Sequence, residues 1–353
     1  MEEAEEGMRT QDELRLASIV FKNSSDGIVV TDARAVILSV NPAFTKVTGY
    51  SAAEAVGKTL RMLRSGRQSK EFYAKLWHRL LEAGRWQGEI WNRRKSGEIY
   101  PEWLTIHAIK NTSGETTHYV GVFDDITERE QLKKELLLTG KIQREMLPPN
   151  INSEQVKMKG IYHPLHYVSG DMYGYKWSKE RDVLFGYLID VVGHGVSTAL
   201  QTSALHVLFR QAADKGFSLK DRLTHINSEA MRFFTEEVFG AAICFEFNFK
   251  KRTLTYASAG INHFICLSAN GGELMKVPGL FLGIEDRAFY EQHTILFEYG
   301  DSFFFFTDGL YDTLPASFLQ FIPSYEEAVR MLKEFAYSDQ CKDDASAMCF
   351  SIL

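Results

Sequence analysis

Four aspartates stand where short hydrophobic runs give out into turns: Ser169-Gly170-Asp171, Asp190-Val191-Val192-Gly193-His194-Gly195, Thr307-Asp308-Gly309 and Lys342-Asp343-Asp344. The runs VLFGYLIDV (183–191), AAICFEFNF (241–249), LTYASA (254–259) and DSFFFFTD (301–308) read as strands, with helical stretches at 196–215 and 220–234 between them. Stacked sheets flanked by helices are expected. A carboxylate at a strand end is where a chain can build a cation site without burying unpaired charge. The fold must therefore bring several strand ends together, and the four aspartates read as a two-metal centre.

At 353 residues, 45% hydrophobic and 24% charged, the chain has ordinary globular content and room for two or three domains. Its net charge of −6 comes from 40 basic and 46 acidic side chains that are mixed, apart from the acidic opening Glu2, Glu3, Glu5 and Glu6. That balance argues against nucleic acid or an anionic membrane as main partner. Cys244, Cys266, Cys341 and Cys349 show no CxxC spacing and fit reduced core thiols of a cytoplasmic protein. The opening lacks the regions of a signal peptide, and no apolar run approaches the roughly 20 residues of a spanning helix. A soluble protein is expected.

Between Asp12 and Ile126 the pattern is two short strands (27–32, 35–40), a helical stretch (69–83) and three strands (86–93, 99–109, 117–124). Lys95-Ser96-Gly97-Glu98 and Asn111-Thr112-Ser113-Gly114 have hairpin-turn composition, so this sheet is expected to be antiparallel. With NPAFTKVTGYS (41–51), GRWQGEIWNRRKSGE (84–98) and VGVFDDITERE (120–130), the module resembles a PAS sensor domain. Its Asp125-Ile126-Thr127 ending closes the last strand and caps the outgoing helix. No cysteine occurs in KTLRMLRSGRQ (58–68), where photosensing relatives carry their flavin-reactive thiol, which disfavours a light-driven adduct. Trp86, Trp91 and Asn92 sit where some flavin-binding relatives place pocket residues, or else pack a small core. His78 or His107 is a candidate haem ligand, or simply packed or exposed. The PAS ligand, flavin or haem among the candidates, stays open.

The stretch 128–147 is charged and helical, and Leu132, Leu136, Thr139, Gln143 and Met146 keep a 4-3-4 spacing flanked by Leu138 and Ile142. It reads either as a short two-helix seam or as a spacer; the resemblance to PAS proteins implies a homodimer through the PAS domain and this helix. Gly140 interrupts it at about 1 kcal/mol relative to alanine, a reasonable place for a switch. Pro148 and Pro149 end the helix.

Beyond it, KIQREMLPP (141–149), VSGDMYGY (168–175), DVVGHGVSTAL (190–200), LTYASAGINH (254–263), LFLGI (280–284), GDSFFFFTDGLYD (300–312) and DDAS (343–346) occur in an order that resembles the SpoIIE/RsbU branch of the metal-dependent PP2C phosphatases. The resemblance implies that Asp190 bridges two Mn²⁺ or Mg²⁺ ions, with Asp171 and the Val191 carbonyl completing one site and Asp308 and Asp343 holding the other. It implies in-line hydrolysis without a phospho-enzyme intermediate. His194 either assists as an acid or sits in a turn, the reading favoured here, and the His163/His166 pair reads as surface loop. Ser169, Asn262-His263, Asp312 and Ala345 depart from the family pattern without removing a proposed ligand.

The expected architecture is α+β: an acidic segment (1–11), a PAS domain with a five-stranded antiparallel sheet (12–127), a helical linker (128–149) and a PP2C-like β-sandwich flanked by helices (150–353). The resemblance implies a PAS-regulated serine/threonine phosphatase acting on a phosphorylated STAS-type anti-sigma-factor antagonist. Two alternatives stand beside it. A catalytically silent module that recruits a partner has no reason to keep four converging carboxylates, and a nucleotide cyclase leaves Thr307-Asp308-Gly309 unexplained.

Overall fold

The computed structural model of the protein describes residues 2–178, 180–235, 237–315, 317–320 and 324–353, leaving aside the side chains of 2–10 and Gln320. It divides into two compact units, Met1–Lys134 and Glu135–Leu353.

The first unit opens with helix α1 (Glu2–Asn23); the charges of the acidic opening lie on side chains outside the described residues. Next come strands β1 (Gly27–Asp32) and β2 (Ile37–Val40), helices α2 (Pro42–Thr48), α3 (Ala52–Ala55) and α4 (Lys70–Ala83), and strands β3 (Arg85–Arg93), β4 (Ile99–Lys110) and β5 (Thr116–Asp125). The strands form one antiparallel sheet in the order β2-β1-β5-β4-β3. Both anticipated hairpins place glycine at positive φ, Gly97 at 95° and Gly114 at 81°, where a side chain would be strained.

The NPAF motif explains itself locally. Buried Asn41 caps α2 by accepting from the Phe44 amide at 2.9 Å, accepts from the Ile28 amide at 2.8 Å, and donates to the Asp26 carbonyl at 2.8 Å. One side chain thus satisfies a helix end and stitches it to β1.

A cavity of about 440 Å³ opens beside this sheet, within the size range of small-molecule sites. Its lining is largely apolar, with Asn92 and Glu102 as buried polar members. Of the three residues that either line a pocket or pack a core, Asn92 lines the cavity. Trp86 instead packs edge-on against Phe72 and Trp91 lies under the Arg67 guanidinium; neither belongs to the lining. His78 and His107 are exposed and do not line it either.

Helix α5 (Thr127–Glu145) follows directly. Within the Asp125-Ile126-Thr127 ending the capping acceptor is Asp125, whose Oδ1 receives the Thr127 amide at 3.0 Å and hydroxyl at 2.6 Å.

The second unit continues with β6 (Ile151–Asn152), β7 (Val156–His163), β8 (Asp171–Ser178), β9 (Val183–Val191), α6 (Val196–Ala212), α7 (Leu219–Ala230), β10 (Gly240–Asn248), β11 (Thr253–Ala259), β12 (His263–Ser268), β13 (Gly271–Lys276), β14 (Gln292–Leu296), β15 (Ser302–Phe306), α8 (Asp308–Tyr311), α9 (Tyr325–Ala336) and β16 (Ala345–Ile352). Two antiparallel sheets result, β14-β11-β10-β9-β8 and β13-β12-β15-β16-β7-β6. They share an aromatic core in which Phe245 of the first stacks on Phe305 of the second at 3.9 Å between centroids. Helices α6 and α7 bury Phe209 and Leu223 against the outer face of the first sheet, and α9 buries Leu332 against that of the second. This α-β-β-α layering explains why the run Phe303–Phe306 is buried throughout: alternate rings face the shared core and the α9 layer. The expected sandwich with flanking helices is what the chain forms.

Candidate active site

Asp171 begins β8 and Asp190 nearly ends β9, and the two are direct antiparallel partners. Partners in such a pair project from the same face with Cβ atoms about 5 Å apart, and like charges so placed destabilise the sheet. Asp171 is 1% exposed. Burial pushes its carboxyl well up, and the Asp344 and Asp308 charges add to this, against hydrogen bonds from Thr307 and Ser346. For Asp190 the same direction follows from burial first, then from Asp171, Asp308 and Asp343. No basic side chain is prominent among the influences on either group.

The Thr307-Asp308-Gly309 turn is held by its threonine. The Thr307 hydroxyl donates to Asp171 Oδ2 at 2.8 Å and accepts from the Ser346 amide at 3.0 Å, so it leaves α8 without a side-chain cap. Gly309 lets α8 approach the 343–344 backbone: a Cβ there would collide with the Asp344 carbonyl and come within 3.0 Å of the Asp343 Cβ. Asp308 and Asp343 are thereby neighbours, both exposed. Partial burial raises Asp343, the hydrogen bond it accepts from the Asp344 amide opposes this, the Asp344 and Asp308 charges raise it further, and His194 lowers it.

Gly170 serves the same purpose on the other side, since a Cβ there would stand 2.6 Å from the Val191 carbonyl oxygen. The structure thus brings Asp171, Asp190, Val191, Asp308 and Asp343 into one neighbourhood. Asp344, next to the predicted Asp343, plays a different part, for its carboxylate accepts from the Leu165 amide at 2.8 Å and the Gly170 amide at 2.6 Å. It buttresses the segment leading into Asp171. Its role and that of Thr307 depend on partners more than a hundred residues away, which adjacent sequence does not display.

His194 is exposed between Gly193 and Gly195, at φ of 106° and 93°, which makes it part of a turn glycine must form. His166 is also exposed, with its ring 6.1 Å from that of His194. His163, expected on a surface loop, ends strand β7 and packs half-buried on Tyr337, because the strand continues to pair with β16 as far as Ala345. His263 lies against Tyr311 at 3.8 Å and feels Asp312 and Asp308, so the departures at 262–263 and 312 border the site.

Carboxylates and a backbone carbonyl are the hard oxygen donors that Mg²⁺ and Mn²⁺ take. Buried acids raising one another without a basic partner fit a cation in charge as well. Among the described residues, no three His, Cys, Asp or Glu side chains are drawn tightly enough together to form a ready-made cage.

Comparison with known proteins supports both halves. Residues 25–128 match the PAS domain family, and residues 181–352 match the family of stage II sporulation protein E (SpoIIE). The chain carries a PAS domain followed by a SpoIIE-type domain of PP2C fold. It is 35% identical to the nitrogen fixation regulatory protein of Klebsiella oxytoca over 134 residues, 38% of this chain and 27% of that protein. It is 28% identical to the phosphoserine phosphatase RsbP of Bacillus subtilis over 193 residues, 53% of this chain and 47% of that protein. The chain thus spans less than half the length of either relative. The SiaA-PP2C domain of Pseudomonas aeruginosa superposes with a TM-score of 0.52 at 20% identity, covering 64% of this chain and 99% of that one, which shows the shared fold.

Proposed function

We propose that residues 150–353 are a metal-dependent protein serine/threonine phosphatase governed by the PAS domain at 12–127 through the linker 128–149. The observation that carries this reading is the cross-strand pair Asp171–Asp190, two like charges held opposite each other at the rim of a sandwich with Asp308 and Asp343 facing them. Asp190, Asp171, the Val191 carbonyl, Asp308 and Asp343 would together hold two ions. Bound Mn²⁺ or Mg²⁺ would activate water and neutralise charge on the attacked phosphate. The protein's own part is to hold these oxygens fixed. Thr307 orients Asp171, Asp344 anchors the Gly170 amide, and the close approaches at Gly170 and Gly309 set the spacing.

The proposed substrate is a phosphoserine on a STAS-type anti-sigma-factor antagonist, supported by the likeness to RsbP, and the proposed setting is the cytoplasm. No helix among the described residues is long and apolar enough to cross a membrane, and all four cysteines are free. A homodimer is proposed through the PAS domain and α5, which exposes Leu138 and Ile142 one turn apart. The PAS cavity is the proposed signal site; Asn92 and Glu102 suit a flavin-like heterocycle, and with neither His78 nor His107 lining it, haem has less support.

The test is manganese-dependent phosphate release from a phosphorylated STAS protein and from an aryl phosphate, comparing wild type with Asp190→Ala. Activity in wild type that is lost in the variant is expected. Equal activity in both sinks the reading, and inactivity with no manganese bound by calorimetry supports the silent binding module instead.

A further inference from the structure

The sequence places Gln143 in a polar, interrupted helical seam, yet in the structure it is 3% exposed. Its Nε2 donates to the Ser169 carbonyl at 2.8 Å and its Oε1 accepts from the Ser169 amide at 3.0 Å. Both backbone groups of one residue are satisfied by a single side-chain amide, much as a neighbouring strand would satisfy them. Three residues earlier, on the same helical face, Gly140 lies so close to Tyr167 that any Cβ would collide with its carbonyl oxygen. The last turns of α5 are therefore docked along 167–169 in a fixed register.

What that segment carries makes the docking consequential. The Ser169 hydroxyl accepts from the Asp171 amide at 3.0 Å, and the Gly170 carbonyl accepts from the Val191 amide at 3.0 Å and the Thr202 hydroxyl at 2.9 Å. The other clamps on 169–171 come from β9, α6, Thr307 in the turn between β15 and α8, and the turn before β16, all parts of the sandwich and its layers. Gln143 alone among these partners sits on the helix that starts at Thr127, straight after the PAS strand β5.

We infer that Gln143 is a positioning residue for the metal centre: its amide holds Ser169 so that Asp171 is presented correctly only while the end of α5 is helical and docked. This rests on the two-metal reading and names the contact through which α5 acts on it. Removing the amide leaves a buried N–H and C=O without partners, which loosens the strand start rather than the whole domain. Partners behind metal ligands typically affect affinity 10- to 100-fold, and about tenfold is expected at this remove.

The test titrates Mn²⁺ into the full chain, reading free Mn²⁺ by electron paramagnetic resonance, for wild type, Gln143→Met, Gln143→Asn, the exposed control Lys141→Ala and Asp190→Ala. Thermal melting without metal is recorded alongside. The expected result is Mn²⁺ binding about tenfold weaker in Gln143→Met, an intermediate loss in Gln143→Asn, no change in Lys141→Ala, and faster hydrogen exchange at 168–171 in both Gln143 variants. Should Gln143→Met fail to fold, Gln143→Asn decides. Wild-type affinity in a folded Gln143 variant, or an equal loss in Lys141→Ala, overturns the inference while leaving the centre intact. If wild type and Asp190→Ala bind Mn²⁺ alike, the two-metal reading itself fails and the inference with it.

Discussion

Each unit buries acids, and does so by opposite means. In the PAS domain Glu102 is 2% exposed, but Asn92 donates to it at 2.8 Å and the Tyr100 hydroxyl at 2.8 Å. Burial pushes its carboxyl up to about 7 against those hydrogen bonds. In the second unit Asp171, although it accepts from the Thr307 hydroxyl, and Asp190 face two further carboxylates. A lone buried acid can take up a proton and be satisfied, whereas a cluster of acids stays under strain until positive charge arrives. Burial of an acid says little about function; the kind of neighbour it is given says much more.

The largest expected effect breaks the cluster. Asp190→Ala is expected to lower phosphatase activity at least about a thousandfold, or about 4 kcal/mol of barrier. It should also raise the melting temperature of the metal-free protein, because it removes one of two facing charges. The same logic fixes a pH trend. Folded pKa values raised above the unfolded ones give stability that is present in acid and lost as pH rises through the raised values, so metal-free wild type should weaken with rising pH. Saturating Mn²⁺ at about a hundred times its Kd should add about 2.7 kcal/mol to wild type and nothing to Asp190→Ala, read from melting curves.

Glu102→Gln tests the other side of the contrast. Below the ordinary carboxyl value of 4.5 Glu102 is neutral in both states; between there and about 7 the folded state holds the extra proton, so its contribution falls across that window. The loss is on the order of 3 kcal/mol. A neutral glutamine has no such pH dependence, and denaturant titrations of the PAS unit from pH 4 to 8 should show the variant flat where wild type declines. Equal slopes would mean the carboxyl is ionised in both states.

Gly140→Ala reverses an ordinary rule. On a solvent-facing helix alanine would stabilise by about 1 kcal/mol. Here its Cβ meets the Tyr167 carbonyl, and overpacking of about 1–3 kcal/mol should dominate, seen as a lower melting temperature of the second unit.

These cases show what sequence can carry. The four aspartates were legible because each sits in a local turn motif, and the hairpins because Gly97 and Gly114 mark their own turns. Gly140 reads as a weak point in a helix because its reason, the Tyr167 carbonyl, is 27 residues away in the chain. Gln143 reads as part of a seam for the same cause. Strand β14 is short, polar and at a sheet edge, so it gives little alternation to find. Helix α9 did signal itself: Tyr325, Ala328, Val329, Leu332 and Ala336 keep helical spacing and are all buried, but the neighbouring strands drew the reading instead.

The smallest expected effect concerns an acid with charged and hydrogen-bonding partners. Asp125 accepts from Thr127 at the start of α5 and pairs with the Arg94 guanidinium at 2.5 Å. Burial would raise its carboxyl, but the Thr127 and Arg94 hydrogen bonds outweigh that and hold it below the usual range. Its sign is therefore opposite to that of Asp190: a depressed folded pKa gives stability present above the unfolded value and lost as pH falls through the folded one. Asp125→Asn should cost about 1 kcal/mol at neutral pH, the size of a capping interaction with a partly exposed ion pair. The gap to wild type should close on acidification below pH 3.8, measured by urea unfolding of the full chain. If the gap persists in acid, the contact acts through geometry alone, and the contrast between paired and facing acids does not extend to the start of α5.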